Sequence, residues 1–338
     1  MLFRLRHVRQ SGLVEESPID RPSGLMRRKH ANSALVAFLR RALVTFLNFA
    51  LNRNAVYRGF GWLNSRFGLM DCVFLVYPAS TSYRMAYASS KLAALARWTP
   101  HIVGVMCQEA RVGLVVAIGA TEPELMDQRN TGRLKLVVSR VEQIRNLLRA
   151  KEARYAGILP GVLFSKRIRR HTQELDIAVD ALLKAECLVR QSVNYGEDVP
   201  IVVLGGRGHV GKELVRRLAG RQVYCVDTQK SGQQDEWPKH LIGCPTLLIN
   251  VTRPGVLQNY LDRFWPELVI LNEVYPEPTK AELDGLMSLG CSAYHLAGIV
   301  GTVFPSLPGA YRGAIPCCGA RKTATYRVVV RRLCPGWR

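Results

Sequence analysis

The chain has 338 residues, enough for two domains of ordinary size, and its 48% apolar content supports a sizeable core and excludes wholesale disorder. Its 47 Lys and Arg against 26 Asp and Glu leave a net charge of +21, which implies anionic partners: nucleic acid, a membrane surface or an acidic carrier protein. No zinc-finger spacing and no RNP-like aromatic strand occurs, so nucleic acid ranks last.

Residues 1 to about 32 are basic, contain Ser-Pro and Arg-Pro-Ser-Gly, and read as a loose leader. Residues 34–51 are more apolar, but Arg40-Arg41 interrupts them, so no uncharged span is long enough to cross a bilayer. Three readings stay open: a helix lying on a membrane surface, a helix packed on its own protein, or an over-extended start of the reading frame. The composition becomes globular from about Phe67. Strands are expected at 71–76, 102–106 and 113–118, with a helix over 84–98 between the first two. A short helix starts at Glu122, and a clearer one spans 134–148 with Leu136, Val137, Val141, Ile144 and Leu148 on its inner face. Tyr155 to Phe164 is an apolar, glycine-bearing segment. The basic loop that follows (Lys166, Arg167, Arg169, Arg170) is either a solvated face or a binding site. Gln173 to Val193 is a long amphipathic helix.

The most informative stretch comes next. Ile201–Leu204 is a short apolar run that reads as a buried parallel strand. It opens into Gly206-Arg207-Gly208-His209-Val210-Gly211, a G-x-G-x-x-G turn, then a helix with Val210, Leu214, Val215 and Leu218 on one side. The following apolar run ends in Asp227, about 20 residues past the glycines, as in a dinucleotide-binding βαβ unit. Gly206 is assigned the tight turn, Gly208 the close approach to a pyrophosphate and Gly211 the helix–strand contact. The helix N-terminus offers free N–H groups to the phosphates. Further strands at 246–251 and 267–271, with a helix restarting at Val256, argue a doubly wound parallel sheet. Ligands of such sheets sit beyond the carboxyl ends of the strands, which puts the glycine turn, Asp227, Thr252 and Tyr275 on one rim. Asp227 favours NAD, while Lys230 just beyond it could meet the 2′-phosphate of NADP, so both cofactors stay open.

The nine cysteines show no C-x-x-C spacing, so neither a zinc site nor a disulfide framework is indicated. With no secretory signal, reduced thiols in a cytoplasm are the simplest reading. Cys317 and Cys318 are adjacent, and on the residues alone they read as two small buried side chains. No Asp or Glu follows Asp284, and the chain beyond Ala320 reads as a strand or as a tail out of frame.

Over roughly residues 110 to 320 the order of features resembles the long-chain acyl-carrier-protein reductases that form fatty aldehydes. The matching features are Gly113 to Met126, the helix before Tyr155-Ala-Gly-Ile-Leu-Pro, and the glycine turn at 205–211. Asn272-Glu-Val-Tyr-Pro276, His295-Leu-Ala-Gly-Ile-Val300 and Cys317-Cys-Gly-Ala320 complete the order. The resemblance implies a cysteine nucleophile at Cys318 or Cys317. His295 and Arg312 are the nearest candidates in sequence for a neighbour that lowers its pKa, while His295 on its own reads as a satisfied core histidine. The resemblance also implies NADP or NAD as cofactor and acyl-carrier protein or acyl-CoA as partner. Residues 34–51, outside the resemblance, are where an otherwise cytoplasmic protein would meet a membrane. The expected architecture is α/β. It comprises a basic leader (1–65), an N-terminal α/β substrate domain (66–196), a doubly wound Rossmann-type NAD(P)-binding domain (197–290) and a C-terminal segment carrying the cysteines (291–338). The alternatives are a dehydrogenase of a small polar substrate, with the same domain order, and a non-catalytic cofactor-binding protein.

Overall fold

The computed structural model describes residues 13–16, 26–78, 84, 96–169, 173–227, 236–306, 313–321, 323 and 325–334. Its elements begin with β1 (Leu13–Glu16), α1 (Met26–Leu51), α2 (Asn54–Phe67), β2 (Met70–Val76), β3 (His101–Gln108) and β4 (Arg111–Ala117). There follow α3 (Glu122–Met126), α4 (Thr131–Leu148), β5 (Glu152–Tyr155), α5 (Leu159–Ser165) and α6 (Gln173–Val193). The second half contains β6 (Ile201–Leu204), α7 (His209–Arg217), β7 (Val223–Val226), β8 (Thr246–Asn250), β9 (Leu268–Asn272) and α8 (Lys280–Ser288). It closes with β10 (Ser292–Val300), β11 (Thr302–Phe304), β12 (Ala314–Ile315) and β13 (Val328–Cys334).

The protein is α/β, with two mixed sheets. The first runs β11-β3-β4-β2-β5 and the second β1-β13-β10-β9-β8-β6-β7, with β12 on β10. In the second sheet β7, β6, β8, β9 and β10 are all parallel. Their apolar runs are what burial on both faces requires: every residue of β6, β8 and β9 is buried. The chain leaves β6 for β7 on one side and returns to β8 on the other, so the direction of winding reverses between β6 and β8.

The main core lies between the two sheets. It joins Phe74, Val103 and Val115 of the first to Val203, Ile249 and Leu271 of the second, with Leu182, Ala185 and Val189 of α6 between them. Arg217 of α7 ties down α6 through Asp176 at 2.6 Å and Asp180 at 3.5 Å. A second core fills the space between the first sheet and α4, whose inner face is Leu134, Val137, Val141, Ile144 and Leu148. Leu136, expected on that face, is 72% exposed, because the inner stripe begins at Leu134 and advances by three and four residues.

Three expectations change. The region of 1–32 is not wholly loose: β1 pairs in parallel with β13, setting Glu15 beside Arg331 and Glu16 beside Arg332, and α1 begins at Met26. The helix expected to restart at Val256 is a 3-10 helix, Leu257–Arg263. Residues 291–338 are not a separate segment: β10, β12 and β13 belong to the second sheet, while β11 joins β3 of the first. Of the two readings of the chain beyond Ala320 the strand stands, since β13 pairs antiparallel with β10. Most of the helix expected over 84–98 lies outside the described residues.

Candidate functional site

The parallel strands of both sheets point their carboxyl ends into one cavity of about 820 Å³. Tyr77 follows β2, Ile118 and Gly119 follow β4, and Ala156 to Ile158 follow β5; all line it. From the other side come Gly208 to Val210 after β6, Thr252 and Arg253 after β8, and Glu273 to Tyr275 after β9. Leu296 to Gly298 of β10 and Pro316 to Cys318 close it. Much of the wall is aliphatic, including Val76, Val103, Ile118, Ile158, Leu175 and Leu296.

The glycine turn stands at the reversal point between β6 and β8. The glycine that needs left-handed backbone is Gly205, at φ +93°, not Gly206 as expected. Gly206 is confined instead by packing, since a Cβ there would meet Cys225 of β7 at 3.0 Å. Gly211 has the role expected of it: a Cβ would lie 2.1 Å from the Gly205 carbonyl oxygen, so only glycine lets α7 sit against the turn. Gly208 is the residue before α7, with no side-chain cap, and faces the cavity. Asp227 accepts from the Arg207 N–H at 3.1 Å, which places its carboxylate beside the turn. Thr252 packs its methyl group toward Gly205 and donates its hydroxyl to Asn250 at 2.6 Å. Val210 lines the cavity, and so does His209, whose ring lies 5.9 Å from Phe164 across the two halves. His209 is exposed, as its place in a turn suggests, and partial desolvation at the cavity mouth lowers its pKa. Lys230 lies outside the described residues.

Cys317–Gly319 is a single 3-10 turn. Buried Arg154 of β5 donates to the Gly319 carbonyl at 2.9 Å, and a Cβ on Gly319 would strike the Phe74 ring, so the turn is held tightly against the first sheet. Both cysteines line the cavity. Burial pushes the Cys318 thiol up to about 12; the Gly157 backbone opposes that shift, and the Glu273 carboxylate adds to it. Burial also pushes Cys317 upward, again with Glu273 in the same direction. Both thiols are therefore protonated near neutrality. Of the pair, Cys318 is the one that the Ala156–Ile158 turn influences, through Gly157.

Glu273 and Tyr77 are the neighbours that sequence reading missed. Burial pushes the Glu273 carboxyl up to about 7, the value a proton acceptor needs near neutrality. Tyr77 donates to Glu122 at 3.1 Å and accepts from the Ile158 N–H at 3.1 Å; burial raises its pKa well above the ordinary phenol value. A signal for Glu273 existed, because it directly follows an apolar strand of a parallel sheet, where ligand-facing residues gather.

His295 is not the neighbour of Cys318. Side chains alternate along a strand, and Leu296, next to it, is the residue that faces the cavity and the core between the sheets. His295 instead ends a buried polar ladder across the sheet. Thr252 donates to Asn250, Asn250 donates to Asn272 at 2.7 Å, and Asn272 donates to His295 Nδ1 at 3.0 Å. Burial lowers the His295 pKa to about 4, so it stays neutral and acts as an anchor. Arg312 lies outside the described residues. The basic loop is largely spent inside the protein: Lys166 donates to the Asp127 carbonyl at 2.9 Å, and Arg169 pairs with Glu174 at 3.0 Å. Arg170 lies outside the described residues.

No family model matches the sequence, and no curated protein matches it. Among solved structures the chain is similar to the complex of VinN with 3-methylaspartate, with 11% identity and a TM-score of 0.25, covering 78% of this chain and 76% of that chain. That likeness carries no argument for fold or chemistry.

Proposed function

We propose that the protein is an NAD(P)H-dependent oxidoreductase that reduces a long-chain acyl thioester, presented by acyl-carrier protein or coenzyme A, to an aldehyde through a cysteine acyl-enzyme. The observation that carries this reading is that Cys318 and the glycine turn face one largely aliphatic cavity. The second sheet is read as a Rossmann-type cofactor unit and the first as the substrate unit. The reversal between β6 and β8, with the glycines beside it, supports that reading. A small polar substrate would call for a polar cavity without the thiol, and a non-catalytic protein for a cysteine turned away from the glycine rim.

The chain's own residues supply the following chemistry. Gly208 and the open first turn of α7 would take the pyrophosphate, Asp227 the ribose hydroxyls, and Arg253 offers a cation beside the turn. Glu273 takes the proton from the Cys318 thiol. The sulfur bonds to the acyl carbon, the bond from that carbon to the carrier's sulfur breaks, and the carrier thiolate leaves with the proton from Glu273. Of the Ala156–Ile158 turn, the Gly157 N–H is the group that borders the place where the carbonyl oxygen would gather charge, since the Ala156 N–H is spent on the Leu75 carbonyl and the Ile158 N–H on Tyr77. A reduced nicotinamide, if held at the glycine turn, would supply hydride to the acyl carbon; the bond from that carbon to the Cys318 sulfur then breaks to give aldehyde and the Cys318 thiolate, which takes a proton from water through Glu273. The net charge of +21 suits an acidic carrier as donor.

Two measurements test the reading. NADH or NADPH should raise the melting temperature, and long-chain acyl-CoA with the productive cofactor should yield aldehyde. Gly208→Val should abolish the thermal shift, since even a Cβ there would lie 3.1 Å from the Gly205 carbonyl oxygen. A wild-type melting curve that neither dinucleotide moves at millimolar concentration would falsify the assignment. Asp227→Ala should raise affinity for NADP relative to NAD by about tenfold, because the carboxylate beside the Arg207 N–H repels a 2′-phosphate. An unchanged ratio in titration calorimetry would remove Asp227 from the ribose.

A further inference from the structure

We infer that α1 and α2 form a docking surface for an anionic lipid membrane, independent of the chemistry in the cavity. Each helix has two apolar faces where a helix lying on a soluble core needs one. The inner face of α1 carries fully buried Val44, and Asn48 bonds both the N–H and the carbonyl of Ile102 in β3. The inner face of α2 carries Tyr57 and Gly61, where a Cβ would clash with the Leu147 carbonyl of α4. With those faces spent on the fold, the outer faces remain aromatic. Phe38, Phe46 and Phe49 on α1 are 61%, 64% and 75% exposed. On α2, Phe60, Leu63 and Phe67 follow one another at helical spacing beside Trp62, and Trp62 and Phe67 are 58% and 68% exposed.

The charge around these aromatics selects the occupant. Residues 21–70 hold nine Lys and Arg and no Asp or Glu. Arg53 stacks over Phe49 at 5.7 Å and Arg66 over Trp62 at 5.8 Å, so cations flank the apolar stripes. A second copy of the chain would set this acid-free segment against itself in a two-fold interface, cation facing cation. An anionic bilayer surface satisfies both features: aromatic rings enter the headgroup boundary while the arginines meet lipid phosphates and carboxylates. Among the described residues no helix is long and apolar enough to cross a membrane, which fits a surface position for α1 and α2.

The test is co-sedimentation of the full chain with vesicles of phosphatidylcholine alone and of phosphatidylcholine mixed with phosphatidylserine. Binding should require the phosphatidylserine and weaken as salt is raised. Phe46→Glu combined with Phe49→Glu should lower binding by on the order of tenfold or more. Arg58→Ala combined with Arg66→Ala should lower it by roughly fivefold for each arginine. Melting curves matching wild type show that the variants fold, since all four side chains sit on outer faces. Three results would overturn the inference: no binding to phosphatidylserine vesicles at low salt, equal binding to phosphatidylcholine alone, or a lipid-free dimer in sedimentation equilibrium that the phenylalanine variant dissolves.

Discussion

Cys318→Ala is expected to abolish the acyl-enzyme and to lower aldehyde formation by about a thousandfold or more, while Cys317→Ala keeps both within roughly tenfold of wild type. The two residues share one turn and one cavity, so burial alone does not separate them. The sulfur environment does. The Gly157 backbone shifts Cys318 toward the thiolate, and nothing from that turn acts on Cys317. Intact-mass spectrometry after incubation with a long-chain acyl-CoA, without reduced cofactor, reads the adduct directly. An adduct that survives Cys318→Ala and disappears in Cys317→Ala moves the nucleophile by one residue. No adduct on any variant, with cofactor binding intact, defeats the thioester mechanism. Alanine in place of either cysteine removes only a sulfur from a turn already held by Arg154 and Phe74, so a loss of activity would not be a loss of fold.

The sequence carried the second sheet well, because parallel strands buried on both faces must be short apolar runs and the helices between them must show a stripe. Ile201–Leu204, Thr246–Asn250 and Leu268–Asn272 stand within a residue of where their apolar runs put them. The glycine turn was legible for a different reason, since close packing at Gly211 has no substitute. Legibility failed wherever a partner distant in sequence decides the outcome. Val328–Cys334, with no acid and no helical face, leaves a strand and an out-of-frame tail both open, and its pairing with β10 decides for the strand. His295 reads either as a satisfied core histidine or, from its nearness in sequence, as the neighbour of Cys318, and the first reading stands. The alternation of β10 turns it away, into a ladder with Asn272 and Asn250. Glu273 looked like part of a turn, and only its desolvation at the cavity that the cysteines also line makes it the candidate for proton transfer.

Glu273→Gln should make the protein more stable and less active at once. Burial raises this carboxyl from an ordinary 4.5 to about 7. The unfolded chain therefore gives up the proton at lower pH than the folded one does. Stability then falls as pH rises from about 4.5 to about 7 and stays lowered above that. Glutamine lacks this penalty, so the variant should match wild type near pH 4 and exceed it above pH 7 by about 1–3 kcal/mol. The lower end fits a carboxyl facing a cavity rather than packed side chains. Activity should move the other way. With the Cys318 thiol at about 12, only roughly one molecule in 10⁵ carries a thiolate at pH 7, so acylation depends on a neighbouring acceptor. Without it the acylation rate should fall by about a hundredfold, within the usual contribution of a positioned base. In wild type that rate should rise with pH to a midpoint near 7, the Glu273 value, and in the variant this limb should vanish. Stopped-flow acylation across pH, beside melting curves of the same samples, separates the two effects. A glutamine variant with a normal rate and a normal low-pH limb would leave Glu273 a bystander and return the search for the base to the Tyr77–Glu122 pair.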